Sequence, residues 1–310
     1  MFLNKLNVFL FLLILVLFID FNLCDYCESE NYGAGNCSFI ADCAHFAREL
    51  EQLSVFEMRK LLCHSSSSNG KICCPKTIKT QSNTCGREIP GNSAPWLVGI
   101  GKYDKNSFTI LCSGALVSKK HVIGSTECIQ NADTVLLGTG IFPSNNIEII
   151  KISKSKGHNF WDPNKPLENN IAVYELETPI PNNSKAKSVC MSFIKTNYNH
   201  LTISTWNTIS GDKVNQQYSS SMSSKALERS NCIRTSITEN QICVLYKRTC
   251  NNSREITPIL TYRDPETGSH ALVGVGFHGN TCIPGFQTTI SSAVTFTFLP
   301  NYERWIFTTM

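Results

Sequence analysis

Apolar and polar positions along this chain fall into three patterns. Near the start, Val8 to Ile19 form one unbroken apolar run after Lys5. That run suits the core of a leader and is too short for a membrane span, which needs ~20 apolar residues. Residues 1–24 are therefore expected to be a signal peptide cleaved near Cys24, leaving a secreted, extracellular chain with no membrane span. Next, Phe39, Ile40, Cys43, Phe46, Leu50 and Leu53 recur at helical spacing and predict a short amphipathic helix. Ser54 followed by Glu57 reads as a capping box opening a second helix, Val55 to Leu62. Residues 75–84 are polar and aperiodic and read as a solvated linker. From Cys85 onward the pattern changes to short β-rich runs between Gly, Asn and Ser clusters. Phe108–Val117, Thr134–Leu137, Ile147–Ile152 and Ala271–Phe277 are predicted strands, which makes this part an all-β sandwich or barrel. The serine-rich stretch Ser219–Ser224 reads as a mobile loop. Tyr302 to Ile306, after Pro300, reads as a terminal helix with its aromatics inward.

Cysteine usage sharpens this picture. The chain holds 15 cysteines, one of them Cys24 in the leader, so an even number remains in the exported part. That argues for a disulfide framework without a free thiol. No Cys-x-x-Cys pairs sit beside histidines at zinc-like spacing, so neither a metal nor another cofactor is expected. The net charge of +4 is mild and no basic stripe interleaves with aromatics, which excludes nucleic acid as a partner. Cys27, Cys37, Cys43, Cys63, Cys73 and Cys74 crowd into residues 27–74, a segment too short to bury enough apolar surface without staples. Adjacent Cys73 and Cys74 must take different partners, because successive side chains of an extended segment point to opposite faces.

This cysteine order, ending in Cys73-Cys74-Pro75, resembles the clip domain of arthropod serine proteases and their homologues. The resemblance implies pairing of Cys27 with Cys73, Cys37 with Cys63 and Cys43 with Cys74. An unrelated small disulfide module is the alternative. Residues 85–310 resemble a chymotrypsin-like serine protease domain. Pro95-Trp96-Leu97-Val98 matches the first core strand, and Asn169-Asn170-Ile171-Ala172-Val173 stands where the family has Asp-Ile-Ala-Leu. The implied fold is mainly β: a double six-stranded barrel with a C-terminal helix, preceded by the small disulfide-knotted α/β clip domain. The implied bridges are Cys85–Cys190, Cys112–Cys128, Cys232–Cys243 and Cys250–Cys282.

The family's catalytic positions are altered. Glu127, in Gly124-Ser125-Thr126-Glu127-Cys128, replaces the catalytic histidine. Imidazole holds a lone pair at neutral pH and releases the proton again, which a carboxylate does poorly. The orienting aspartate is Asn170. Cys250-Asn251-Asn252-Ser253-Arg254-Glu255-Ile256-Thr257-Pro258 replaces the glycine-rich nucleophile motif. Counting back from Pro258 puts Glu255 in the nucleophile's place, and counting forward from Cys250 puts Arg254 there. Ser253 is the only hydroxyl nearby. The lost glycines would have let backbone N–H groups converge on an oxyanion, and losing one such donor typically costs ~100-fold or more. His121 and His158 read as structural or exposed residues rather than replacement bases.

The pocket is altered too. Arg248 occupies the position two before Cys250 that often sets charge preference, and Phe277-His278-Gly279 replaces the Ser-Trp-Gly wall. A cation there needs a partner if buried, so Arg248 or Arg254 is expected to pair with Glu127 or Glu255 and fill the cleft. Arg87-Glu88-Ile89-Pro90-Gly91 stands in the activation segment, and Arg87 is a candidate cleavage point without the usual amine–carboxylate switch. Asn36, Asn182 and Asn251 open Asn-x-Ser sequons. The resemblance implies a catalytically inactive regulator or cofactor of an extracellular protease cascade, in melanisation or related innate immunity. Its partners would be active clip-domain proteases, zymogens or prophenoloxidase, in haemolymph, or microbial surface ligands. An adhesion or matrix protein on the same inactive fold is the alternative, and a protease with displaced catalytic residues is a third reading.

Overall fold

The computed structural model describes residues 26–29, 33–43, 58, 60–63, 71–75, 85–104, 107–138, 141–142, 148–191, 198–209, 216–228, 232, 237–250, 253–265, 267–277 and 288–310. The chain divides into two units, the smaller formed by described residues between Tyr26 and Pro75 and the larger by those from Cys85 onward.

The small unit is an antiparallel sheet of β1 (Tyr26–Ser29), β2 (Gly33–Ser38) and β3 (Ile72–Pro75), in that order. Bridges join Cys27 to Cys73, Cys37 to Cys63 and Cys43 to Cys74. Cys73 and Cys74 thus send their sulfurs to different partners, as strand alternation requires. Cys43, Met58, Leu61 and Ile72 are buried beneath the sheet's staples. The helical pattern begun at Phe39 does not start there. A 3-10 turn occupies Ile40–Asp42, and Phe39 is 51% exposed with Lys71 Nζ 5.9 Å from its ring centroid. The second predicted helix stops short of Leu62, which bridges to Ile72 instead. The rest of both predicted helices lies outside the described residues, and so does the predicted linker at residues 75–84 apart from Pro75, which ends β3.

The large unit holds a closed barrel of β4 (Leu97–Asp104), β5 (Ser107–Leu116), β6 (His121–Gly124), β7 (Thr134–Leu137), β9 (Glu148–Gly157) and β10 (Ala172–Leu176). Its order around the wall is β10-β6-β5-β4-β7-β9. Ile100, Leu116, Val122, Val135, Leu137, Tyr174 and Leu176 fill the interior. Gly114 and Gly124 are register partners, and a Cβ on either would lie 2.7 or 2.5 Å from Ile100 Cδ1. The paired glycines are what make room for that isoleucine.

A second sheet contains six long strands and two short ones. The long strands are β12 (Leu201–Ile209), β13 (Gln216–Ser224), β14 (Gln241–Cys250), β15 (Ser253–Arg263), β16 (His270–Gly276) and β17 (Thr288–Phe298). The two-residue β8 (Ile141–Phe142) extends β13, and β11 (Cys190–Met191) lies parallel to β16. The order is β14-β17-β16-β15-β12-β13-β8. The sheet curls until Ala226 bridges Val244, with Leu227 N–H donating to the Cys243 carbonyl at 2.9 Å and Leu245 N–H to the Lys225 carbonyl at 3.0 Å. Two barrel-like sheets therefore carry the unit, as a chymotrypsin-like fold requires. Ser219–Ser224 is strand rather than mobile loop. Its backbone is zipped to β12, and Ser221 Oγ meets Ser204 Oγ at 2.8 Å.

The chain ends in a 3-10 turn (Leu299–Tyr302) and helix α1 (Glu303–Thr309), with Tyr302 and Ile306 buried. Burial pushes the Glu303 carboxyl up to about 7, against the pull of the helix N-terminus, which favours negative charge. An acid whose folded pKa is raised holds its proton more tightly in the folded state. Stability therefore falls as pH rises from about 4.5 to about 7 and levels off above that. Glu303→Gln is expected to remove this slope and to raise stability above pH 7 by roughly 2 kcal/mol. Melting curves from pH 4 to 9 test it; parallel profiles for the two proteins would refute it.

Candidate functional site

The turn that carries Glu127 begins where β6 ends. Ser125, extended at φ −79°, caps the 3-10 turn Thr126–Cys128, its Oγ accepting from Glu127 N–H at 3.3 Å. The bridge Cys112–Cys128 fastens the turn to β5. Facing it, Asn169 adopts φ +54° and its carbonyl accepts from Ile171 N–H at 2.9 Å, a tight turn that aims Asn170 inward. Asparagine tolerates the left-handed region better than most residues because its short side chain can hydrogen-bond locally. Here Asn169 Nδ2 donates to the Phe160 carbonyl, and Asn169 Oδ1 accepts from Tyr302 OH at 2.9 Å.

Asn170 is 1% exposed. Its Oδ1 accepts from Thr126 N–H at 2.9 Å and from Ser125 Oγ at 2.8 Å. Ser125 Oγ also lies 3.0 Å from Glu127 Oε1, so its single hydrogen serves one acceptor at a time. Thr126 Oγ1 donates to the Ile171 carbonyl and Tyr174 OH to the Ser125 carbonyl. Burial, with the Glu127 charge second, pushes the Tyr174 phenol far above its ordinary value, so it remains a donor. The structure thus brings Glu127 and Asn170 to one place, linked through Ser125. Asn170 Nδ2 is buried with no hydrogen-bond partner among the described residues. A carboxylate would offer an acceptor there; the amide offers a donor.

The nucleophile segment is built differently. Ser253, Arg254 and Glu255 open β15 and pair with Ile209, Thr208 and Asn207 of β12. In such a ladder successive N–H groups point to opposite sides. The side chains of these three residues lie outside the described set, as do Asn251 and Asn252. Arg248 is placed only by backbone, opposite Ile290 of β17. Phe277 is half-buried just after β16. His278, Gly279 and Cys282 lie outside the described residues and Cys250 is placed only by its backbone at the end of β14, so of the four groups expected to fill the cleft only the Glu127 head is placed. Glu127 Oε1 accepts from Ser125 Oγ at 3.0 Å.

Neither alternative histidine sits at a reactive turn. His121 Nδ1 meets Ser118 Oγ at 3.0 Å at the start of β6, the end away from Glu127. His158 packs edge-on to Tyr302 and Trp305, each at 5.1 Å between centroids, and burial lowers its pKa. The two barrels meet at a buried polar seam. Ser113 Oγ donates to the Ile256 carbonyl at 3.0 Å and accepts from Trp206 N–H at 2.9 Å, while Ser113 N–H donates to Thr257 Oγ1 at 3.0 Å.

The segment after Cys85 is strapped down. Bridges Cys85–Cys190 and Cys232–Cys243 are formed. Gly86 N–H donates to the Ser188 carbonyl and its carbonyl accepts from His270 N–H, both at 2.8 Å. Arg87 Nη1 donates to the Thr267 carbonyl at 2.5 Å. Glu88 Oε1 lies 3.1 Å from Nε2 of His270, a 2% exposed ring stacked 4.8 Å from Trp96. Burial lowers the His270 pKa although Glu88 opposes the shift. With Nε2–H donating to Glu88, Nδ1 accepts from Thr261 Oγ1 at 3.3 Å. Sequence reasoning missed Glu88 and His270, since 182 positions separate them and no local pattern links them.

Comparison with known proteins agrees with this architecture. The Trypsin family profile matches residues 83–253. The Proclotting enzyme of Tachypleus tridentatus is 20% identical, with 57% of this chain aligned to 59% of that protein. Granzyme-like protein 2 of Rattus norvegicus is 28% identical, with 34% of this chain aligned to 43% of that protein. The chain therefore spans less than two thirds of either relative's length. With the profile covering more than half of the sequence and two barrel-like sheets beneath it, the chain belongs to the trypsin family of serine protease homologues.

Proposed function

We propose that this is a secreted, catalytically silent clip-domain serine protease homologue that regulates, or serves as cofactor in, an extracellular protease cascade. The observation that carries the reading is the Asn170–Ser125–Glu127 chain. The group that would orient a base instead fixes a backbone turn, and the residue in the base's place is a carboxylate. The paired backbone of Ser253–Glu255 adds support, because N–H groups committed alternately along a strand do not converge on an oxyanion. A protease scaffold keeps its docking faces when it loses its chemistry. Likeness to the Proclotting enzyme supports a cascade setting, and the proposed partners, active clip-domain proteases, zymogens or prophenoloxidase, are those that resemblance to clip-domain homologues implies. Disulfide density supports an extracellular one, and no helix among the described residues is long and apolar enough to cross a membrane.

The purified protein is expected to take no fluorophosphonate label and to turn over no peptide substrate. The double variant Glu127→His, Asn170→Asp is expected to gain neither property, since the nucleophile segment is unchanged. Labelling that disappears in Ser253→Ala would overturn the proposal. Depletion from haemolymph, followed by microbial challenge, is expected to change phenoloxidase activity.

A further inference from the structure

The turn between β10 and β11 carries one of the three Asn-x-Ser sequences, and its geometry sets it apart. Asn182 is exposed on a turn closed by Ser184 N–H donating to the Pro181 carbonyl at 3.1 Å. Lys119 Nζ donates to Asn182 Oδ1 at 2.6 Å. The amide oxygen is thereby occupied, while Nδ2, the atom that bears an N-linked sugar, has no protein partner among the described residues. Asn36 is placed differently: its backbone lies between Tyr26 and Cys74 in the central strand of the small sheet, and the next residue is bridged to Cys63. Asn251 lies outside the described residues.

We propose that Asn182 is an occupied N-glycosylation site, the donor being a polyprenyl-diphosphate-linked oligosaccharide. Nδ2 bonds to the sugar C1 as the C1–O bond to the diphosphate breaks; the amide loses one proton and polyprenyl diphosphate leaves. The product is still an amide whose Oδ1 accepts, so the Lys119 contact survives glycosylation. Ser184 fixes the order of events. Its side chain is buried in the folded turn and accepts from Ala186 N–H at 3.1 Å, so transfer precedes closure of that turn.

The position has a consequence for docking. Lys119 and Lys120 lead into β6, and Ser125–Glu127 follow its other end. β10, antiparallel to β6, starts beside Asn170 and runs toward Asn182, with Ile180 N–H donating to the Lys119 carbonyl at 2.8 Å. A four-residue strand spans about 13 Å, so the attachment point stands at the end of both strands away from Glu127. The proposal rests on the extracellular reading of the protein.

The test is secretion of the full chain from mammalian cells, once behind its own residues 1–24 and once with a foreign leader replacing them. The secreted protein is treated with peptide N-glycosidase in heavy-oxygen water and its peptides are weighed. Conversion of Asn182 to labelled aspartate, with loss of one glycan in Asn182→Gln and its retention in Lys119→Ala, is the expected result. An unmodified Asn182 peptide as the main form, from protein secreted behind the foreign leader, would overturn the site. Secretion behind the foreign leader alone would instead refute residues 1–24 as a signal while leaving the Asn182 result readable.

Discussion

Gly86→Ala is expected to be among the most damaging single-methyl changes this chain can suffer. The residue sits at φ +64°, and a Cβ there would lie 2.1 Å from the His270 carbonyl oxygen and 2.7 Å from its nitrogen. Those obstacles are backbone atoms of β16, hydrogen-bonded on both sides, so they cannot step aside as a flexible side chain would. Relief requires the strap to lift, breaking the Gly86–His270 and Gly86–Ser188 hydrogen bonds and parting Glu88 from His270. Left-handed backbone alone costs roughly 1–2 kcal/mol for a residue with a Cβ, and the lost contacts bring the expected total to about 3–5 kcal/mol. Gly91→Ala supplies the control, since Gly91 has φ +78° but a Cβ there meets nothing within 4 Å. It bears the conformational cost alone. In a domain of this size each kcal/mol lowers the melting temperature by about 2–4 °C, so the two variants separate clearly in a thermal melt. The lifted strap also frees Arg87 from Thr267, and limited trypsin digestion is expected to cut after Arg87 in Gly86→Ala much faster than in the parent. Equal melting of the two alanine variants would mean the strap carries no stability.

Ser113→Ala is expected to weaken the joint between the barrels by about 2–3 kcal/mol. The serine hydroxyl is the acceptor for Trp206 N–H in a place where Ser113 and Trp206 are both buried. Ile256 keeps a second donor in Thr205 Oγ1, so the cost falls on the orphaned Trp206 amide rather than on the carbonyl. Ser153→Ala removes an exposed hydroxyl that donates to the Glu175 carbonyl at 3.1 Å, and is expected to change stability by less than about 0.5 kcal/mol. Thermal melts and hydrogen exchange at the Trp206 amide read both variants. Undiminished protection at Trp206 in Ser113→Ala would remove the seam from the account.

Strands were legible wherever β-branched and apolar residues stood between hydrophilic stops. Thr134–Leu137 is the plainest case, framed by Asp133 and by Gly138 at φ +101°. β13 was not legible, because a run of serines carries no apolar alternation and its strand character comes from the neighbour it pairs with. Phe39 misled for the opposite reason, an apolar residue in helical phase that the structure leaves exposed. At the site, Glu127 and Asn170 could be found from local sequence, since each sits beside a recognisable strand. Their linkage through Ser125 could not, because it depends on where a hydroxyl points. The Glu88–His270 contact was beyond any local pattern, and so was the Ser113 seam.

The serine-rich strand has a further effect on how copies of this protein coexist. Among the described residues β8 pairs with only Gln217 and Tyr218, and the stretch of β13 that follows, Ser219 to Ser223, is four serines and one methionine. A bare strand margin invites intermolecular zippering when it is long, flat and greasy. Here the stretch beyond β8 is short and almost wholly hydrophilic, and its one methionine packs on the core, which leaves little driving force for fibrous assembly even at high concentration.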